Sequence, residues 1–130
     1  MSIITSLSAY YKLDGNPYAS WGTNNGTNNG AITYGPGKIN QAGVFNGTNA
    51  YVSVPVSSDF TFGANDFGVS VWVKRNSFGT RQIICGNSDA IGNNNSIAFL
   101  LEFTATDYLE ASSFRSVSYT HLTLPTKRIV

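Results

Sequence analysis

Apolar residues recur at every second position in two stretches of this chain, Phe67, Val69, Val71, Val73 and Ile97, Phe99, Leu101, Phe103. A period of two lines one face of an extended strand, and it conflicts with the 3.6-residue period of an amphipathic helix. Helix-forming runs of Ala, Leu, Glu and Lys are missing. Tyr51, Val52, Val54 and Val56 form a third β-prone run, in which Pro55 removes a ladder donor and marks an edge or a strand end. The pattern predicts strands over residues 9–13, 32–34, 43–45, 50–54, 67–74, 81–86 and 96–103. Trp72, set among valines, reads as a residue of the core or of a strand face. Asn25-Gly26, Asn29-Gly30, Asn46-Gly47 and Gly35-Pro36-Gly37 supply the turns between strands. Short strands with this punctuation predict an all-β sandwich or barrel. The likeness of residues 24–27 to residues 28–31 is one local duplication, far short of a solenoid period.

At 130 residues the chain has room for one domain with one core. Charged residues make up 12% and the formal net charge is +1, so no strong field is present to attract nucleic acid or an anionic membrane surface. The single Cys85 has no partner for an internal disulfide and reads as a small buried hydrophobe. The first residues lack the basic and apolar regions of a secretory signal, and no run approaches the roughly 18 apolar residues of a membrane span. A virion component or an extracellular surface protein that uses no cleaved signal fits these features.

Taken in order, Ala9-Tyr10-Tyr11-Lys12-Leu13-Asp14-Gly15-Asn16, Asn24-Asn25-Gly26-Thr27, Gly37-Lys38-Ile39-Asn40-Gln41-Ala42-Gly43-Val44-Phe45-Asn46-Gly47, Ala50-Tyr51-Val52-Ser53-Val54 and Phe67-Gly68-Val69-Ser70-Val71-Trp72-Val73-Lys74 resemble the laminin-G-like, concanavalin A-like lectin/glucanase superfamily. The resemblance covers about residues 8–103 and implies an antiparallel jelly-roll β-sandwich. It also implies late strands that this chain lacks, so residues 1–115 read as the N-terminal part of such a domain. Residues 116–130 read differently. Val117-Ser118-Tyr119-Thr120-His121-Leu122-Thr123-Leu124-Pro125-Thr126 resembles the translation of a transposase-type sequencing-library adapter, with Ser116 and Lys127 fitting the flanking bases. The expectation is a non-native read-through tail, and the competing reading is a natural terminal strand. An incomplete sheet would leave an unpaired edge and an exposed apolar face.

The superfamily includes glycoside hydrolases, whose catalytic carboxylates stand two or four residues apart on one strand. Among Asp14, Asp59, Asp66, Asp89, Glu102, Asp107 and Glu110 no two have that spacing, so the chain reads as non-catalytic. The one histidine, His121, lies in the suspect tail, which leaves the rest without a His base or a His metal ligand. No phosphate loop or dinucleotide fingerprint is present. The resemblance implies calcium as the cofactor to weigh, with Asn46, Asn49 and Asp66 as ligand candidates. Ala19 and Asn46 stand where the family often has Asp, which weakens that set. Sugars are held by flat aromatic faces and by amides that pair with hydroxyls. Trp21 and Tyr18, beside Asn24 and Asn25, are therefore the ligand-binding candidates, with a glycan or cell-surface polysaccharide as the partner. The function expected is carbohydrate binding or adhesion in a phage or bacterial surface protein. A structural or protein-interaction domain of a larger assembly is the alternative, followed by a glycoside hydrolase fragment. The sequons at Asn25, Asn46 and Asn94 read as coincidence in so Asn-rich a chain.

Overall fold

The computed structural model describes residues 7–62, 65–87, 98–115 and 118–122. The chain divides into two compact units, Met1–Thr61 and Phe62–Val130. In the first unit the strands are β1 (Tyr10–Tyr11), β2 (Ala19–Trp21), β3 (Thr27–Asn29), β4 (Thr33–Pro36), β5 (Gln41–Val44) and β6 (Tyr51–Ser53). They form three antiparallel ladders, β1 with β2, β3 with β6 and β4 with β5. Gly37 donates to the carbonyl of Asn40 at 2.8 Å and closes the tight turn from β4 to β5. β6 stops before Pro55, where the missing N–H ends the ladder. Helical structure among the described residues is the 3₁₀ turn Ser58–Phe60.

The second unit contains β7 (Gln82–Asn87), β8 (Ala98–Phe103), β9 (Leu109–Arg115) and β10 (Ser118–Leu122) in one four-stranded antiparallel sheet, ordered β10-β9-β8-β7. The chain is therefore all-β with antiparallel pairing, as the period-two pattern leads one to expect. In the suspect tail, Ser118–Leu122 pairs in register with β9, from Ser118 opposite Arg115 to Leu122 opposite Ala111.

The stretch 67–74 departs from expectation, because it forms no ladder. Alternation specifies which side chains share a face, but it does not by itself pair a backbone, and the stretch joins no ladder although β7 is an edge strand of the sheet. The stretch is anchored at its two ends instead. Phe67 stacks on Phe62 with ring centroids 4.4 Å apart and leans on Phe99 of β8 at 5.4 Å. Arg75 lies over the rings of Phe78 and Phe103 at 4.7 and 4.3 Å. Between those anchors Val69, Val71 and Val73 remain exposed. Trp72, expected in the core or on a packed strand face, is 76% exposed, which corrects that reading. No hydrophobic side chain among the described residues is buried, while the polar Glu102 and Ser112 are. β2, β3 and β9 were not expected as strands, since Ala-Ser-Trp, Thr-Asn-Asn and Leu-Glu-Ala-Ser-Ser-Phe-Arg carry no apolar alternation.

Candidate functional site

The loop and strand that carry Tyr18, Trp21, Asn24 and Asn25 are tied to β1 and to the 3₁₀ turn. Tyr11 pairs with Ala19 and Tyr10 with Trp21, with an irregularity between the two pairs. Pro17 is buried, and its carbonyl accepts the Gly26 N–H at 3.1 Å, which closes the base of the loop. Asn25 Oδ1 accepts from the Ala19 backbone N–H at 3.2 Å, across the loop. Asn16 Oδ1 accepts from the Tyr18 N–H at 3.0 Å and fixes the approach to β2. The Trp21 indole N–H donates to the Leu7 carbonyl at 3.0 Å. That bond satisfies the indole's only donor and orients a ring that stays 45% exposed. Tyr18 and Tyr10 are likewise exposed.

Asn24 connects this loop to a carboxylate. Its Nδ2 donates to Asp59 Oδ2 at 2.7 Å, and its carbonyl accepts from the Tyr11 hydroxyl at 2.6 Å. The Ser57 hydroxyl accepts from the Asp59 N–H at 3.2 Å as the cap of the 3₁₀ turn, and so sets the position of Asp59. Burial, with a smaller contribution from the Asp59 charge, pushes the Tyr11 phenol up and keeps it a donor. Asp59 was not singled out from the sequence, since a lone carboxylate far along the chain from Trp21 gives no signal until the 3₁₀ turn folds back. The combination of exposed, oriented rings with an Asn-Asp pair can stack on an apolar face and exchange hydrogen bonds with hydroxyls.

The calcium candidates do not fit an ion as they stand. Asn46 Oδ1 accepts from three backbone N–H groups, Thr48 at 2.9 Å, Asn49 at 3.1 Å and Ala50 at 3.1 Å. Asn49 Oδ1 accepts from Asn46 Nδ2 at 2.8 Å. Both amide oxygens are therefore engaged in holding the turn, and an oxygen surrounded by N–H groups repels a cation. Asp66 belongs to the other unit. Asp14 is also structural, accepting from the Gln41 N–H at 3.2 Å and from Asn40 Nδ2 at 3.3 Å. Among the described residues no three His, Cys, Asp or Glu side chains come together to hold a metal.

Linear spacing missed one carboxylate pair. Glu102 on β8 stands directly opposite Glu110 on β9, on the same sheet face. Arg81 Nε meets Glu102 Oε2 at 2.6 Å, so the buried member of the pair has a cationic partner. The two strands meet through the turn at residues 104–107, where the Asp107 backbone N–H donates to the Thr104 carbonyl. On the same unit Cys85, expected to be buried, is half-buried, and that partial burial pushes its thiol up.

Fold and site together define an all-β chain of antiparallel ladders that displays an oriented aromatic and amide surface. No family model, no curated protein and no solved structure matches it.

Proposed function

We propose that this chain is a non-catalytic carbohydrate-binding or adhesion module of a phage or bacterial surface protein, built as a laminin-G-like jelly-roll sandwich. The observation that carries the reading is the Trp21 ring, fixed through its N–H to the Leu7 carbonyl and exposed, on a segment that also carries the exposed Tyr18 and the Asn24 that pairs with Asp59. An aromatic face oriented before binding loses little freedom when a sugar stacks on it. Asp59 and the near-neutral chain favour a neutral glycan over an acidic one. A glycan array tests this with the whole chain and with Trp21→Ala: the parent should retain neutral oligosaccharides and the variant should lose them. Absence of binding to any glycan or cell surface by the parent refutes the reading.

The second reading, a protein-interaction domain of a larger assembly, draws on a different observation. Val69, Val71, Trp72 and Val73 form an exposed apolar row in the second unit, the kind of surface that marks a protein contact. Cell-surface capture that survives Trp21→Ala favours this reading over glycan binding.

A further inference from the structure

We propose that Asn46 is a site of spontaneous, fold-assisted deamidation, with the Asn46–Asn49 turn serving as an oxyanion hole for the reaction. In this chemistry the Gly47 backbone nitrogen gives up its proton to hydroxide and attacks Cγ of Asn46. A C–N bond forms and the electron pair of the amide C=O moves onto Oδ1. Water, re-forming hydroxide, then gives a proton to Nδ2; the electron pair on Oδ1 re-forms the C=O, the Cγ–Nδ2 bond breaks and ammonia leaves, giving a five-membered succinimide. Water then opens either of its two C–N bonds, giving Asp or isoaspartate, with no oxidant or reductant involved.

Three observations single out Asn46 among the Asn-Gly pairs. The oxygen on which charge develops already accepts from the N–H groups of Thr48, Asn49 and Ala50 at 2.9, 3.1 and 3.1 Å. Donors at such distances favour the anionic intermediate over the neutral amide, because a charge-assisted hydrogen bond is roughly twice as strong as a neutral one. Gly47 is exposed, and its N–H has no protein partner among the described residues. The other two pairs are set differently. The Gly26 N–H is engaged by the Pro17 carbonyl, and Asn25 Oδ1 accepts from a single N–H, that of Ala19, where Asn46 Oδ1 accepts from three. Gly30 is pressed so closely on the Asn49 backbone that a Cβ there would clash with the Asn49 carbonyl. Conversion replaces a neutral amide with a carboxylate seated in a cradle of N–H groups, and it lowers the net charge of the chain by one.

Peptide mapping by mass spectrometry after incubation at mildly alkaline pH tests the proposal, with the chain either folded or unfolded in urea. Trypsin places Asn46-Gly47 alone on residues 39–74 and the other two pairs on residues 13–38. Incubation in ¹⁸O-water marks the hydrolysed site. Folding should accelerate conversion at Asn46 by about tenfold, the rate factor of a modest oxyanion contribution, and slow it at Asn25 and Asn29. Slower conversion of Asn46 in the folded chain than in urea overturns the proposal, and so do rates at all three sites that ignore folding.

Discussion

Replacing Arg75 with Ala removes the largest polar anchor of the second unit. The side chain is 9% exposed and its guanidinium lies over the Phe78 and Phe103 rings, with Nε on Gln82 Oε1 at 3.0 Å and an Nη on Asp107 Oδ1 at 2.7 Å. A partly desolvated cation over a ring contributes about 1 kcal/mol, and a hydrogen bond from a charged donor about 1.5 kcal/mol. Two rings and the Gln82 bond together make the loss in Arg75→Ala about 3.5 kcal/mol, a large fraction of the roughly 5–15 kcal/mol that holds a domain together. Arg75→Lys keeps the charge but loses the planar stack, and should cost about half as much. Urea unfolding followed by far-UV circular dichroism gives the total, and hydrogen exchange at the β8 amides localises it. A change below about 1 kcal/mol for Arg75→Ala, or equal values for the two variants, would refute the assignment of Arg75 as an anchor.

Two further effects follow from single contacts. The Gly79 N–H, at 2.8 Å, and then Arg75 hold the Asp107 carboxyl below the usual carboxylate range. Its folded value is thus lower than its unfolded one, so its contribution to stability is present above the usual range and is lost as pH falls through the folded value. An acid titration of the second unit's hydrogen exchange should show that loss, and Asp107→Asn should remove it; an unchanged acid limb in the variant argues against the contact. Gly26 is buried, and a Cβ there would stand 2.6 Å from both the Pro17 carbonyl and Val52 Cγ1. Gly26→Ala should destabilise the first unit by about 1–3 kcal/mol, and thermal melts with no shift would show that the loop base yields freely.

What the residues reveal before folding is uneven, and the reasons are physical. β7 and β8 were legible because Ile, Leu and Phe alternate or cluster there, and the β4–β5 hairpin only in part, because Gly35 and Pro36, expected in the bend, pair within β4 and the turn falls on residues 37–40. β2 and β3 were hidden because their ladders are held by backbone bonds between polar residues, which leave no hydrophobic period. The stretch 67–74 shows the converse error, since alternation fixes which side chains share a face and does not pair the backbone into a ladder. In the candidate site, Trp21, Tyr18, Asn24 and Asn25 were readable as residue types in a turn-rich loop. Asp59 and Tyr11 were not, since their meeting with Asn24 depends on contacts 35 and 13 residues apart in the chain. The calcium set failed to fit because residue type says nothing of whether an Asn oxygen is already occupied, as it is at Asn46 by three N–H groups.

The most direct measurement of the glycan reading follows the Trp21 indole N–H resonance while neutral oligosaccharides are titrated into the folded chain. That proton is tied to the Leu7 carbonyl, so it reports on the ring without a mutation. Saturable shifts at the Trp21 indole and at the amides of Tyr18, Asn24 and Asp59 are expected. Shifts confined to the Phe62–Val130 unit, or none with any glycan, would contradict a binding surface on β2.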